Sequence, residues 1–207
     1  MEVFFWQVFI TLLVVIDPFA VVPIFINLTQ HYAESTRRKI ALKACLISLF
    51  LLLLFAFLGE QLLSTLKISE SAFRIAGGVL LFLAAVEMVM GKSMDLAEES
   101  KEIKSYGDIA VFPLAIPLMA GPGALTSMVV LMRRAETMNF STFWVIILTF
   151  VVLLMTYICL RMSDVIIKII GLTGTNILTR VFGIILAALA AQNILSGLSI
   201  AFNIPNT

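Results

Sequence analysis

Six apolar stretches of about 20 residues or more limit the folds open to this chain, because about that length of helix is needed to cross the hydrocarbon of a bilayer. They cover roughly 4–29, 40–59, 72–91, 109–132, 142–161 and 178–202. A chain of 207 residues, 61% hydrophobic and 13% charged, with a mean hydropathy of +1.08, holds far more apolar sequence than a soluble core of that size needs. In lipid the backbone must satisfy its own polar groups, so runs of this length are helical. The expected fold is an all-α polytopic membrane protein, a single transmembrane domain over 1–207 with six transmembrane helices. A net charge of +1 offers nothing to a nucleic acid.

The first run opens on Glu2 and continues past Asp17 without a small-residue cleavage pattern, so it reads as a mature helix rather than a secretion signal. Cys45 and Cys159 lie inside apolar runs without metal or disulfide spacing and read as small hydrophobes. Orientation follows from Lys and Arg at the ends of the runs. Arg37, Arg38, Lys39 and Lys43 flank the first connection, Lys92, Lys101 and Lys104 the third, and Arg161, Lys168 and Arg180 the fifth. The other side holds only Lys67, Arg74, Arg133 and Arg134. The odd connections are therefore expected in the cytoplasm, with both termini outside.

The connection "KSMDLAEESKEIKSYGD" (92–108) carries eight of the chain's charged residues and divides it into repeat one (1–91) and repeat two (109–207). The third run, "RIAGGVLLFLAAVEMVMG" (74–91), aligns without gaps on the sixth, "RVFGIILAALAAQNILSG" (180–197). Arg, Gly, Leu, Leu, Ala, Ala and Gly match at one offset of 106. The first and fourth runs align through "DPFA" (17–20) and "GPGA" (121–124). A unit of three helices enters the membrane from opposite sides in its two copies, so the expected architecture is two inverted three-helix repeats with broken helices 1 and 4. Secondary transporters build substrate sites from such pairs.

The stretch "PLAIPLMAGPGAL" (113–125) puts three prolines and two glycines into the fourth run. A proline inside a helix costs about 3 kcal/mol, and irregular backbone at membrane depth is tolerated only against protein or a water-filled cavity. Asp17 with Pro18, and Gly121 with Pro122, each have the form of an N-cap followed by proline at the first helical position. Asp17 brings a negative charge to one half-helix start; at the other, Gly121 and Gly123 expose bare N–H groups to close approach. One carboxylate and one set of free donors match a zwitterion. A charge at mid-membrane costs at least about 2.5 kcal/mol and marks a functional interior. Simple proline kinks, and an Asp17 that only caps, are the structural alternative. The candidate substrate-binding set is Asp17, Pro18, Pro23, Gly121, Pro122, Gly123, Thr126 and Gln192, with no catalytic or metal residue.

Other residues read more plainly. Glu87, near its helix end, is placed to snorkel toward the interface, and Asn193 holds the same repeat position. Gln192 serves a ligand or another helix. Gly77, Ala84 and Gly91, and Gly183, Ala190 and Gly197, are small-residue stripes for close packing of the third and sixth helices. His31, in the first connection, reads as a solvated loop residue.

The segments "IDPFAVVPIF" (16–25), "FRIAGGVLLF" (73–82), "PLAIPLMAGPGAL" (113–125) and "GTNILTRVFGIILAALAAQ" (174–192) resemble the MarC family of integral membrane proteins over nearly the whole chain. Family members often carry Gly-Asn where this chain has Ala20-Val21. The resemblance implies six spanning helices in a bacterial or archaeal plasma (inner) membrane and, for some members, neutral amino-acid transport. The functional expectation is a secondary transporter of small neutral solutes, amino acids foremost, with the bilayer as surroundings, no nucleic-acid partner and no cofactor. Coupling to H+ or Na+, substrate identity, direction and oligomeric state stay open. A passive channel is one alternative. An intramembrane enzyme using Asp17 and Glu87 is the other, although no nucleophile or metal cluster accompanies them.

Overall fold

The computed structural model describes residues 2–91, 106–138 and 141–203, and no strand occurs among them. The chain winds α1 (Glu2–Ile16), α2 (Pro18–Thr29), α3 (Glu34–Thr65) and α4 (Glu70–Met90). After residues 92–105 come α5 (Tyr106–Ile109), the irregularly wound segment α6 (Ala110–Met119), α7 (Pro122–Thr137), α8 (Thr142–Arg161) and α9 (Ser163–Phe202). Five spans are long and apolar enough to cross a membrane, α1 and α2 together forming one of them; α6 and α7, bent by 52° at their junction, have the length and composition of a sixth, broken span or of a re-entrant loop. Most of the charged connection, including Lys92, Glu98, Lys101 and Lys104, lies outside the described residues.

Helix lengths differ from the sequence reading at two places. The second span is 32 residues long, Glu34–Thr65, because its basic first turns stay helical beyond the apolar run. The fifth connection shrinks to Met162 alone, and Lys168 and Arg180 lie within α9 rather than between helices. Segment 163–170 is apolar enough to wind, and the chain changes direction only at Gly171, whose φ of 73° suits glycine.

The faces sort by helical period. On α3 the buried positions are Ile40, Ala41, Ala44, Ser48, Leu52 and Ala56, whereas Leu42, Leu46, Phe50 and Phe57 point outward. In water such an outer face would be an interaction patch; in a bilayer it meets lipid. Buried hydroxyls are satisfied within their own helices: Ser48 Oγ donates to the Ala44 carbonyl at 2.9 Å, and Thr149 and Thr156 donate to carbonyls four residues back at 2.8 Å. Phe5 and Trp144 meet edge to face at 6.1 Å, so α1 and α8 start at the same end, where Trp6 and Phe143 are also exposed. Aromatic side chains of this kind favour the membrane–water interface. At the opposite ends, Arg37 on α3 donates to both carboxylate oxygens of Asp164 (2.8 and 3.1 Å) and to Ser163 Oγ (3.2 Å), over the Phe25 ring. The start of α3, the end of α2 and the start of α9 are thereby tied together.

The helices α4 and α9 pack closely and run antiparallel. A Cβ added at Gly197 would lie 2.9 Å from the Ser71 carbonyl oxygen, one at Gly78 2.9 Å from that of Ala190, and one at Gly183 3.1 Å from that of Ala85. Gly91 lies beside the Arg180 guanidinium. The stripe reading needs one correction: Gly77 faces not α9 but α7, where the Thr126 methyl fills the space a Cβ would take.

Candidate functional site

The two interruptions differ in kind. At Asp17 a single residue takes the left-handed conformation (φ 40°, ψ 75°), while the hydrogen bonds Asp17 N to Leu13 O (3.0 Å) and Val21 N to Asp17 O (3.3 Å) carry the winding through. Asp tolerates this region because its short side chain bonds locally. Here Oδ1 accepts from the Ala20 N–H at 3.2 Å, which caps α2. Pro18 follows at the first helical position. The other carboxylate oxygen, Oδ2, is buried without a hydrogen-bond partner, and the residue as a whole is 3% exposed. An unpaired buried carboxylate oxygen is costly and points to a missing partner.

The second interruption is a true bend. Phe112 and Ile116, each preceding a proline, are extended (φ −125°, ψ 126° and φ −123°, ψ 123°), as the proline ring demands of its neighbour. Regular winding resumes at Pro122, with Gly121 as N-cap and no side chain capping it. Pro122 has no N–H, so the first donors of α7 are those of Gly123 and Ala124, which have no acceptor within their own helix.

Asp17, Gly121, Pro122, Gly123 and Ala124 line one cavity of about 240 Å³. Leu80, Leu81, Ala84, Glu87 and Met88 form its α4 wall, and Leu186 of α9 joins them. Four members of the sequence-derived set therefore share a wall. The other four do not. Pro18 is buried at the start of α2. Pro23 lines an adjoining cavity of about 130 Å³ with Asn176, Thr179 and Arg180. Thr126 donates to the Pro122 carbonyl at 2.8 Å and packs on Gly77. Gln192 is exposed and sits with Gln7, Ser127, Arg134 and Asn193 at a separate pocket of about 40 Å³.

The glycines have a different role from the one their sequence suggests. A Cβ at Gly121 would overlap the Pro117 carbonyl oxygen, and one at Gly123 would lie 2.5 Å from Leu81 Cδ2. The space a Cβ would take at each is filled by the protein itself, so the missing side chains admit the chain's own bend and α4, while the backbone of both still lines the cavity. Glu87, by contrast, reaches the same cavity as Asp17 while remaining exposed. Its spacing with Leu80, Ala84 and Met88 on one helical face was the available signal. His31 is exposed in the first connection, Cys45 is buried, and both cysteines are free. Among the described residues no group of three or more His, Cys, Asp and Glu side chains is placed to hold a metal ion.

Helices with apolar outer faces and a cavity containing a buried carboxylate define a multi-pass integral membrane protein. The chain belongs to the MarC family: the model described as "MarC family integral membrane protein" matches residues 2–202. It is 38% identical to a UPF0056 membrane protein of Methanocaldococcus jannaschii over 198 residues, 94% of this chain and 96% of that relative. It is 35% identical to a UPF0056 membrane protein of Aquifex aeolicus over 201 residues (95% and 92%). Against the UPF0056 membrane protein YhcE of Escherichia coli it is 34% identical over 197 residues (94% and 91%). No solved structure matches the chain.

Proposed function

We propose that the protein is a secondary transporter of small neutral solutes, amino acids foremost, with its site in the cavity between Asp17 and the start of α7. The observation that carries this reading is the buried, unpartnered Oδ2 of Asp17 on the same wall as the uncapped N-terminus of α7. An ammonium group satisfies the first and a carboxylate the second. In this reading the chain is not an enzyme, and its partners are its solute and the bilayer.

The inverted repeat belongs to the same proposal. Its support is the repeated Arg and Gly positions in α4 and α9, together with the symmetry of their contacts. Adding the offset of 106 to one member of the pairing of Gly197 with Ser71 and Ile75, and subtracting it from the other, gives the neighbourhood of Gly91 and Arg180, which also meet. Both termini lie outside in this arrangement, with 92–108 in the cytoplasm of a bacterial or archaeal cell.

The test is uptake of labelled neutral amino acids into proteoliposomes, with and without H+ or Na+ gradients. Saturable, gradient-driven accumulation supports a secondary transporter. Flux that neither saturates nor exceeds equilibration indicates a passive channel, and absence of flux for every amino acid rejects the reading.

A further inference from the structure

The Asp17 cavity continues toward one face of the protein and stops short of the other. It shares Ala20 and Met88 with the cavity of Asn176, Thr179 and Arg180, which lies beside Gly91 where α4 ends. The pocket of Gln7, Thr11, Ser127, Gln192 and Asn193 shares no wall residue with either. Gln7 follows Trp6, so this pocket sits toward the end where α1 and α8 start, opposite the Arg180 cavity. Three helices nevertheless line both the pocket and the Asp17 cavity: Thr11 and Val15 on α1, Ser127 and Ala124 on α7, Leu189 and Leu186 on α9. On each helix the two are about one turn apart, roughly 4.5 to 6 Å. At that level Val14, Leu186 and Ala190 are buried in one apolar cluster with Leu81 and Ala85 of α4.

The polar side chains of the separate pocket are not used to join helices. Past its first turn α1 carries two polar residues, Gln7 and Thr11, and both line this pocket. Among the described residues Gln7, Thr11, Ser127 and Asn193 make no side-chain hydrogen bond, and Gln192 reaches Ser196 of its own helix at 3.5 Å. Polar residues that hold membrane helices together bond across the interface; polar groups on three helices left without such bonds suit water or a polar solute. Resting on the transport reading, we propose that this pocket is the second mouth of the solute path, shut off from the Asp17 cavity in this structure by the cluster of Val14, Leu186 and Ala190. The Arg180 cavity is the mouth that stands open, so the structure is the state that faces the 92–108 connection.

The experiment is cysteine accessibility in the full chain with the two free cysteines, Cys45 and Cys159, replaced by alanine. A charged, membrane-impermeant methanethiosulfonate is applied to intact cells and to inside-out vesicles. Thr11→Cys and Asn193→Cys should react from the face that carries the termini, and Asn176→Cys from the opposite face. Ala84→Cys, in the wall of the Asp17 cavity, should react from the same face as Asn176→Cys. Adding Leu186→Ala, or Val14→Ala as a second variant, should raise its rate from the terminal face about tenfold or more, because the lost apolar contact weakens the closed state. Thr11→Cys and Asn193→Cys both unreactive from the terminal face in folded protein overturns the second mouth. An unchanged Ala84→Cys rate in both folded variants overturns the seal. Labelling as expected, with no flux for any amino acid in the uptake assay, supports the two mouths and removes the transport reading alone.

Discussion

Asp17 combines a left-handed backbone conformation with a buried carboxyl group, and substitutions separate the two. Asn caps a helix about as well as Asp and tolerates the left-handed region, so Asp17→Asn should unfold in detergent within a degree or two of wild type. Asp17→Ala loses the bond to the Ala20 N–H and puts a Cβ residue without a cap into φ 40°. It should cost about 2 kcal/mol, measured as a lowered Tm of the purified protein. Equal stability of the Ala and Asn variants would show that the cap contributes nothing. The glycines divide in the same way. Gly121→Ala drives a Cβ into backbone oxygen of Pro117 and should abolish folded protein, whereas Gly123→Ala meets the Leu81 side chain, at 2.5 Å from Cδ2 and 3.1 Å from Cγ, and should lower Tm by less because a side chain can shift where backbone cannot. Fluorescence size-exclusion profiles of the two variants check the order; the reverse order would contradict the packing at the bend. The sequence carried the Asp-Pro and Gly-Pro caps because capping is local chemistry. It could not carry the orphaned Oδ2, or Leu81 under Gly123, since both depend on which helices meet.

The contact of α4 with α9 is made by backbone against backbone at Gly78, Gly183 and Gly197. Gly183→Leu forces its Cβ toward the Ala85 carbonyl oxygen and Val89, and should destabilise the protein by about 1–3 kcal/mol. Ile184→Leu, on the lipid-facing side at 62% exposure, should leave it unchanged. Thermal unfolding of both variants in the same detergent is the measurement, and equal Tm values would place α9 differently. The small-residue stripes were visible as a seven-residue recurrence, which shows that a close contact exists but not which helix supplies it; hence Gly77 of α4 meets α7 instead of α9. The start of α9 was hidden for another reason. Lys168 interrupts the apolar run at 163–170, and hydropathy alone does not distinguish a short helix ending at Gly171 from a connection.

At the scale of the whole molecule the family is settled, five spans are long and apolar enough to cross a membrane and the bent pair of α6 and α7 is the candidate sixth; orientation is the first property to measure. Cysteine tags at Glu2 and Asn203 should both react with an impermeant reagent from outside intact cells, and one at Glu98 only after the membrane is opened. Terminal tags on opposite faces would contradict the even number of spans. The positive-charge count supports this orientation because Arg37 and Lys39 begin α3, and Arg180 lies beside Gly91 where the charged connection starts.

The central claim is that the Asp17 carboxylate holds the cargo's ammonium within the membrane. Its most direct test is counterflow of labelled neutral amino acids in proteoliposomes holding wild-type or Asp17→Asn protein at matched amounts of folded material. A lost charge-assisted bond in a dry site exceeds about 1.4 kcal/mol, so the variant should exchange at least tenfold more slowly. Wild-type exchange by Asp17→Asn would reduce the residue to a helix cap and contradict the account.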